Sequence, residues 1–214
     1  MPTPLTAATL SVALAGLTAR DPRLARIVAD LGPPPLWARE PGFPTLLHII
    51  LEQQVSLASA QAAFDRLLAV ASPLTPERFL ELDDATLKAA GFSRQKTRYG
   101  RELARAILSG ELDLNALDAL DDHAVHTELT KVVGIGRWTA DIYLLMALCR
   151  PDAWPVGDLA LAIAARHALG LAATPSTAEL ASIGEAWHPW RAVAARILWH
   201  FYLSGGVHGD AQKK

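Results

Sequence analysis

Apolar residues recur three and four positions apart along most of the chain, as Leu10, Leu14 and Leu17 do near its start. This spacing is typical of amphipathic helices, and the alternating pattern of strands is nearly absent. Proline and glycine mark the helix ends, most clearly in the Gly32–Pro35 run. The pattern predicts an all-α protein with helices near 6–18, 21–30, 44–53, 56–71, 76–81, 84–90, 95–109, 121–131, 137–149, 158–169, 177–186 and 190–203.

Composition narrows the functional classes. The chain has 214 residues, 51% of them hydrophobic, which is enough for a sizeable core and excludes disorder for its bulk. A net charge of −2 excludes a uniformly basic nucleic-acid coat protein but leaves room for a local basic patch. Cys149 is the only cysteine, so disulfide frameworks, Cys-rich zinc sites and a four-cysteine iron–sulfur cluster are excluded.

The first 19 residues carry no charged side chain. Pro2 and Pro4 interrupt them, and no basic residue precedes the apolar stretch as a secretion signal would require. We therefore expect an amphipathic first helix, no membrane partner and a soluble, cytoplasmic protein, associated with the nucleoid if it is bacterial.

The segment Val132–Ala140 is the sharpest local signal. A helix predicted to end at Val133 is followed by a turn that contains Gly134 and Gly136, and then by a second helix. Both glycines permit positive φ and the close approach of another backbone. The N–H groups at the start of the second helix suit a phosphate. An ordinary hairpin of two helices explains the same pattern.

Asp158 opens a strongly apolar helix, and two interpretations remain open for it. It caps that helix, which is the commoner role of such a residue. Alternatively, the backbone donors and the helix dipole hold an ionised carboxylate that stabilises a developing cation.

Two polar segments lie upstream of the hairpin. Gln53 and Gln54 stand among apolar residues, either as buried links between helices or as probes of base edges. The run from Arg94 to Arg105 has five positive residues against Glu102, either as a solvated face or as a small phosphate-contacting surface.

These segments together resemble the helix-hairpin-helix DNA glycosylases (the HhH-GPD superfamily), and within them the 3-methyladenine DNA glycosylase II, or AlkA-like, branch. The resemblance covers residues 40–203 and follows five stretches in order: Gln53–Ser56, Gly91–Lys96, Val133–Ala140, Asp158, and Pro189–Arg191 with Trp199. It implies two helical lobes with a DNA-binding cleft between them. One lobe is 43–150, with the hairpin motif at about 125–149. The other combines N-terminal helices in 1–42 with C-terminal helices in 151–214.

The resemblance also assigns roles to residues. Asp158 is the catalytic carboxylate, and Trp138 and Trp199 form the base pocket. Trp138 stands where strand-nicking relatives carry a catalytic lysine, which implies a monofunctional enzyme. Gln54 fills the gap left by the flipped base, and Arg94 is the favoured wedge. The expected DNA contacts are Gly134, Gly136, Arg137, Thr139, Gln53, Gln54, Ser56, Ser93, Arg94 and Lys96.

The implied activity is the removal of alkylated bases, such as 3-methyladenine and 7-methylguanine, from double-stranded DNA by base flipping and N-glycosidic hydrolysis. The protein would be a monomer without a cofactor, apart from a structural Na⁺ or K⁺ on the carbonyls of Thr130, Val132 and Ile135. Two alternatives stay open: a glycosylase for oxidised or mispaired bases, and a DNA-binding module without chemistry.

Overall fold

The structure, a computed structural model, describes residues 3–207. Within that range the chain is helical, without a strand, and none of its helices is long and apolar enough to cross a membrane. It forms twelve α-helices and one 3₁₀ helix: α1 Ala7–Arg20, α2 Pro22–Leu31, α3 Phe43–Glu52, α4 Leu57–Val70, α5 Pro76–Glu81, α6 Asp84–Ala90, α7 Arg94–Leu108, the 3₁₀ helix Leu117–Ala119, α8 Asp122–Thr130, α9 Arg137–Met146, α10 Leu159–Leu169, α11 Thr177–Glu185 and α12 Arg191–Leu203. The predicted all-α class is confirmed.

The helix ends correct the prediction around the hairpin. The helix predicted at 121–131 ends at Thr130, short of the end at Val133 that the hairpin pattern indicated, because the backbone tightens into a turn in which Ile135 N–H donates to Val132 O at 3.0 Å. The helix expected to reach residue 149 ends at Met146, and Cys149 adopts φ 49°, which a helix cannot continue through.

The chain divides into two compact units. Unit 1 is Arg39–Leu148, and within the described residues unit 2 combines 3–38 with 149–207. The boundaries expected after residues 42 and 150 lie within a few residues of these divisions.

Helix α3 is the centre of unit 1. Its central residues Leu46, Leu47, Ile49 and Ile50 are fully buried, and it packs against α4, α7 and α9. Burying side chains of this size stabilises a core by about 1.5–3 kcal/mol each. The end of α3 and the start of α9 are therefore held together, which brings two of the predicted segments close to each other.

Helix α12 plays the same part in unit 2, where it packs against α10, α1 and α2. Every residue from Ala192 to Trp199 is buried. Among them Arg196 donates from Nε to Leu36 O at 2.7 Å and from Nη1 to Ala192 O at 3.0 Å. Burial lowers the pKa of this guanidinium to about 10. Arg196 thus fastens the proline-rich segment to α12.

Candidate active site and DNA-contact segments

The two glycines of the hairpin turn are present for different reasons. Gly134 has φ 99°, and a Cβ there would overlap the ring of Tyr99. Gly136 has φ −94°, so the expectation of a left-handed conformation is wrong for this residue. A Cβ at Gly136 would meet nothing within 4 Å in the described chain. The chain's own packing requires glycine at 134, whereas position 136 leaves open space in front of the turn.

Helix α9 begins at this open space without a side-chain cap. The N–H groups of a helix's first turn have no acceptor within the helix, and the dipole there favours an anion. Arg137, the first residue of α9, has a side chain that is 73% exposed. The start of α9 therefore has the chemistry of a phosphate site.

A hydrogen bond joins the two helices of the hairpin. Asp141 on α9, with a side chain only 5% exposed, accepts through Oδ1 from His126 Nε2 on α8 at 2.7 Å. Its other oxygen lies 3.8 Å from Arg137 Nε. Sequence reasoning missed this pair. The available signal was a carboxylate in the apolar stretch of α9.

Gln53 is a link between helices. Its Nε2 donates to Gly134 O at 2.9 Å and to Thr139 Oγ1 at 3.0 Å. Thr139 is only 2% exposed, so its side chain is unavailable to DNA and only its backbone remains for the predicted contact. Of the two interpretations of Gln53, the structure favours the buried link, which holds the end of α3 against the hairpin turn.

Gln54 differs from its neighbour. It is exposed and has φ 58°, a left-handed conformation that is uncommon for a residue other than glycine. Backbone strain of this kind is concentrated at functional sites. Ser56 caps α4 by accepting from Ser59 N–H at 3.2 Å, and this fixes the far side of the turn. The gap-filling role of Gln54 stays a prediction.

The basic segment begins at the cap of α7 and is anchored to α3 by one of its side chains. Ser93 caps α7 by accepting from Lys96 N–H at 3.2 Å, and Arg94 is exposed at the first position of that helix. Lys96 instead donates from Nζ to Leu51 O at 2.6 Å, and burial lowers the pKa of its ammonium. The last turn of α3 thus holds the ammonium of Lys96, and the DNA contact predicted for this residue stays a prediction.

Asp158 is both a helix cap and a precisely oriented carboxylate. Its Oδ1 accepts from Leu161 N–H at 2.7 Å, in the first turn of α10. The same oxygen accepts from Trp199 Nε1 at 3.1 Å. Both of these donors are uncharged, and together they fix the orientation of this oxygen. The two interpretations of Asp158 are therefore compatible.

Trp199 has a role in unit 2 that the sequence did not indicate. It is 7% exposed and its indole N–H is directed at Asp158, so it orients the carboxylate besides any contact of its ring with a base. Trp138, the second residue of α9, is partly buried in unit 1. The predicted base-pocket role of both indoles stays a prediction.

The described residues contain no group of three His, Cys, Asp or Glu side chains that could hold a metal ion. The carbonyls predicted for a monovalent cation lie where α8 ends and the hairpin turns. Val132 O accepts from Ile135 N–H at 3.0 Å, and a carbonyl oxygen has a second lone pair. This donor set suits Na⁺ or K⁺.

Comparisons with known proteins agree with this geometry. DNA-3-methyladenine glycosylase 1 of Schizosaccharomyces pombe is 28% identical over 190 residues, which are 87% of this chain and 83% of that protein. A solved structure of the Schizosaccharomyces pombe 3-methyladenine DNA glycosylase in complex with abasic DNA has a TM-score of 0.79 at 27% identity, covering 89% of this chain and 95% of the other. The DNA-3-methyladenine glycosidase of Bacillus halodurans has a TM-score of 0.71 at 31% identity, covering 86% of each chain.

The model of a protein family described as the HhH-GPD superfamily of base excision DNA repair proteins matches residues 47–189. This match covers the hairpin turn, the Gln53 link and Asp158. The resemblance inferred from the sequence is thereby confirmed, and the chain belongs to the HhH-GPD superfamily of base excision DNA repair proteins.

Proposed function

We propose that this chain is a DNA glycosylase that removes alkylated bases, such as 3-methyladenine and 7-methylguanine, from double-stranded DNA. The base is flipped out of the helix and its N-glycosidic bond is hydrolysed, which leaves an abasic site. The single observation that carries the proposal is Asp158, a carboxylate whose Oδ1 is oriented by Leu161 N–H and Trp199 Nε1. The names of the relatives, which are 3-methyladenine glycosylases, support the choice of alkylated bases.

Asp158 provides the charge that the reaction needs. As the N-glycosidic bond breaks, the deoxyribose becomes an oxocarbenium-like cation. A carboxylate fixed in advance stabilises that cation without reorganising during the reaction. The same group orients or deprotonates the attacking water.

An alkylated purine explains why one carboxylate is enough. N-alkylation makes the base cationic and therefore a good leaving group, so no strong general acid is required. Electron-rich indoles such as Trp138 and Trp199 attract a cationic ring by about 0.5–2 kcal/mol each. Because Trp138 replaces the lysine that strand-nicking relatives use as a nucleophile, the enzyme releases the base and does not cut the strand.

The hairpin holds the DNA through its backbone. The open space at Gly136 and the uncapped start of α9 receive a phosphate, with Arg137 beside it. A Na⁺ or K⁺ ion on the carbonyls of Thr130, Val132 and Ile135 would add positive charge next to this phosphate. Replacing both ions by choline would then weaken DNA binding. The protein acts on chromosomal DNA inside the cell. It does so as a monomer, and sedimentation of the free protein tests this oligomeric state.

The test is base release from methylated duplex DNA by the wild type and by Asp158→Asn. Asparagine caps helices about as well as aspartate, so this variant folds while it loses the charge. Its matched control is Asp83→Asn. Asp83 caps α6 in unit 1 by accepting from Thr86 N–H at 2.7 Å. We expect the control to release methylated purines at the wild-type rate and Asp158→Asn to be at least about 100-fold slower.

Two outcomes contradict the proposal. If a folded, DNA-binding wild type released no methylated purine, the substrate class would be wrong, and release of oxidised or mispaired bases would identify the correct one. If Asp158→Asn kept the wild-type rate, the chemistry would not depend on this carboxylate. Strand cleavage without added alkali would contradict the monofunctional mechanism alone.

A further inference from the structure

The arginines of α7 form two groups that differ in their partners. At 3.6 residues per turn, all four share the face opposite the buried side of the helix. They are Arg94, Arg98, Arg101 and Arg105. Because they lie on one face, the partners of the first two arginines can be compared directly with those of the last two.

The pair in the C-terminal half of α7 is compensated by carboxylates. Arg101 Nη2 lies 2.7 Å from Asp84 Oδ1. Arg105 Nη1 lies 2.9 Å from Glu102 Oε1. These two guanidinium groups therefore contribute little net charge to the surface.

The pair in the N-terminal half is different. Arg94 and Arg98 are both exposed, and no carboxylate among residues 3–207 pairs with either of them. The first turn of α7 contains no acidic residue, and a helix dipole disfavours cations at this end. The stability of α7 accordingly gives no reason for placing basic residues there.

The uncompensated half of α7 is also the half that touches the hairpin. The ring of Tyr99 occupies the space that a Cβ of Gly134 would need. Gln95 Nε2 donates to the Tyr99 hydroxyl at 2.6 Å, which fixes that ring. Arg98 directly precedes Tyr99 in the helix. These contacts place the N-terminal half of α7, which carries the exposed positive charge, next to the hairpin turn that precedes α9.

We propose that Arg98 binds a DNA phosphate beside the phosphate held at the start of α9, so that α7 extends the DNA-contact surface of the hairpin. A guanidinium offers two parallel N–H donors to phosphate oxygens, and this contact carries no sequence information. Arg98 therefore contributes to affinity for any duplex. This inference rests on the DNA binding in the proposed function and adds a residue to it.

The experiment measures the salt dependence of binding to an undamaged DNA duplex, by fluorescence anisotropy, for the wild type, Arg98→Gln and Arg105→Gln. Each phosphate contact adds about 0.9 to the slope of log affinity against log salt. We expect Arg98→Gln to lower the slope by about that amount. Between about 50 and 200 mM salt, the wild type then loses about 3.5-fold more affinity than the variant. Arg105→Gln keeps the wild-type slope because Arg105 already forms an ion pair with Glu102.

A slope for Arg98→Gln equal to that of the wild type overturns the inference, as does an equal fall in both variants. An unchanged melting temperature shows that the two surface substitutions leave the fold intact. Base release by the same proteins separates this inference from the proposed function. A lowered slope without base release by the wild type contradicts only the proposed function, whereas base release with an unchanged slope contradicts only the role of Arg98.

Discussion

Two aspartates of unit 2 share two kinds of hydrogen-bond donor. Asp21 caps α2 and Asp158 caps α10, and each also accepts from a tryptophan indole. The indole nitrogen of Trp187 lies 3.0 Å from Asp21 Oδ2, and that of Trp199 lies 3.1 Å from Asp158 Oδ1. Asp21 additionally accepts from Arg23 Nε at 2.9 Å and from Arg23 Nη2 at 2.8 Å.

The Arg23 guanidinium sets the behaviour of the Asp21 carboxylate. Hydrogen bonds from Arg23, outweighing the opposing effect of burial, and then the bond from Trp187 lower the pKa of Asp21 to about 2. The charge of Asp21 is balanced by this partner, so the group stabilises the fold. Asp158 Oδ1 is instead oriented by the neutral donors Leu161 N–H and Trp199 Nε1, and the proposed function uses this carboxylate to stabilise a developing cation. A helix-capping aspartate is therefore not structural or catalytic by its position alone.

The largest effect that sharpens this contrast is expected for Asp158→Glu. The charge is kept, but the extra methylene moves the carboxylate away from Leu161 N–H and Trp199 Nε1. A displacement of about 1 Å can cost about 100-fold in rate, and we expect a loss of that order in single-turnover base release. Affinity for undamaged DNA should stay at the wild-type value. A rate within threefold of wild type, with about the same KM, would show that charge matters here and orientation does not.

The second largest effect is on stability and concerns Asp21→Asn. The pKa of Asp21 is lower in the folded protein than its usual 3.8, so its stabilisation is present above pH 3.8 and disappears as the pH falls through about 2. We expect the free energy of unfolding of the variant, measured in urea at pH 7, to be about 2 kcal/mol lower than that of the wild type. This difference should shrink as the pH falls from 3.8 to about 2. The base-release rate per folded molecule should not change. A rate loss in Asp21→Asn would break the contrast between the two aspartates.

The smallest effect separates the two tryptophans. Trp199→Phe removes the indole donor to Asp158, and the loss of one hydrogen bond to a charged group corresponds to about a tenfold slower base release. Trp187→Phe is its matched control, because it removes the same donor from Asp21 and should lower only the melting temperature. Equal rate losses in both variants would show that they act through stability, and the orienting role of Trp199 would then be wrong.

Periodicity and capping residues were sufficient to predict the helices. The predicted ranges 76–81 and 84–90 agree with α5 and α6 because proline, aspartate and glycine fix those ends locally. The end of α8 was placed too late because the turn after Thr130 depends on contacts with Tyr99 and Gln53, which are distant in sequence. Local signals do not contain such contacts.

The candidate site was predictable in its residues more than in their roles. The sequence singled out Asp158, Gln53 and Lys96 as candidates, but it could not show that Gln53 and Lys96 donate to main-chain carbonyls of other segments. The pairing of His126 with Asp141 across the hairpin was missed for the same reason. Which polar group faces inward is decided by tertiary packing.

The order of the two units along the chain affects how the protein folds. Unit 1 is continuous, whereas unit 2 is formed from both ends of the chain. Arg39 N–H donates to Met146 O at 2.8 Å, so a folded unit 1 brings its own two ends together. Because unit 1 then forms a closed loop between them, little further loop-closure entropy is lost when residues 3–38 pack with the segment after Leu148 to form unit 2. During synthesis from the N-terminus, the hairpin can form before Asp158 has left the ribosome, so the surroundings of this carboxylate are assembled last.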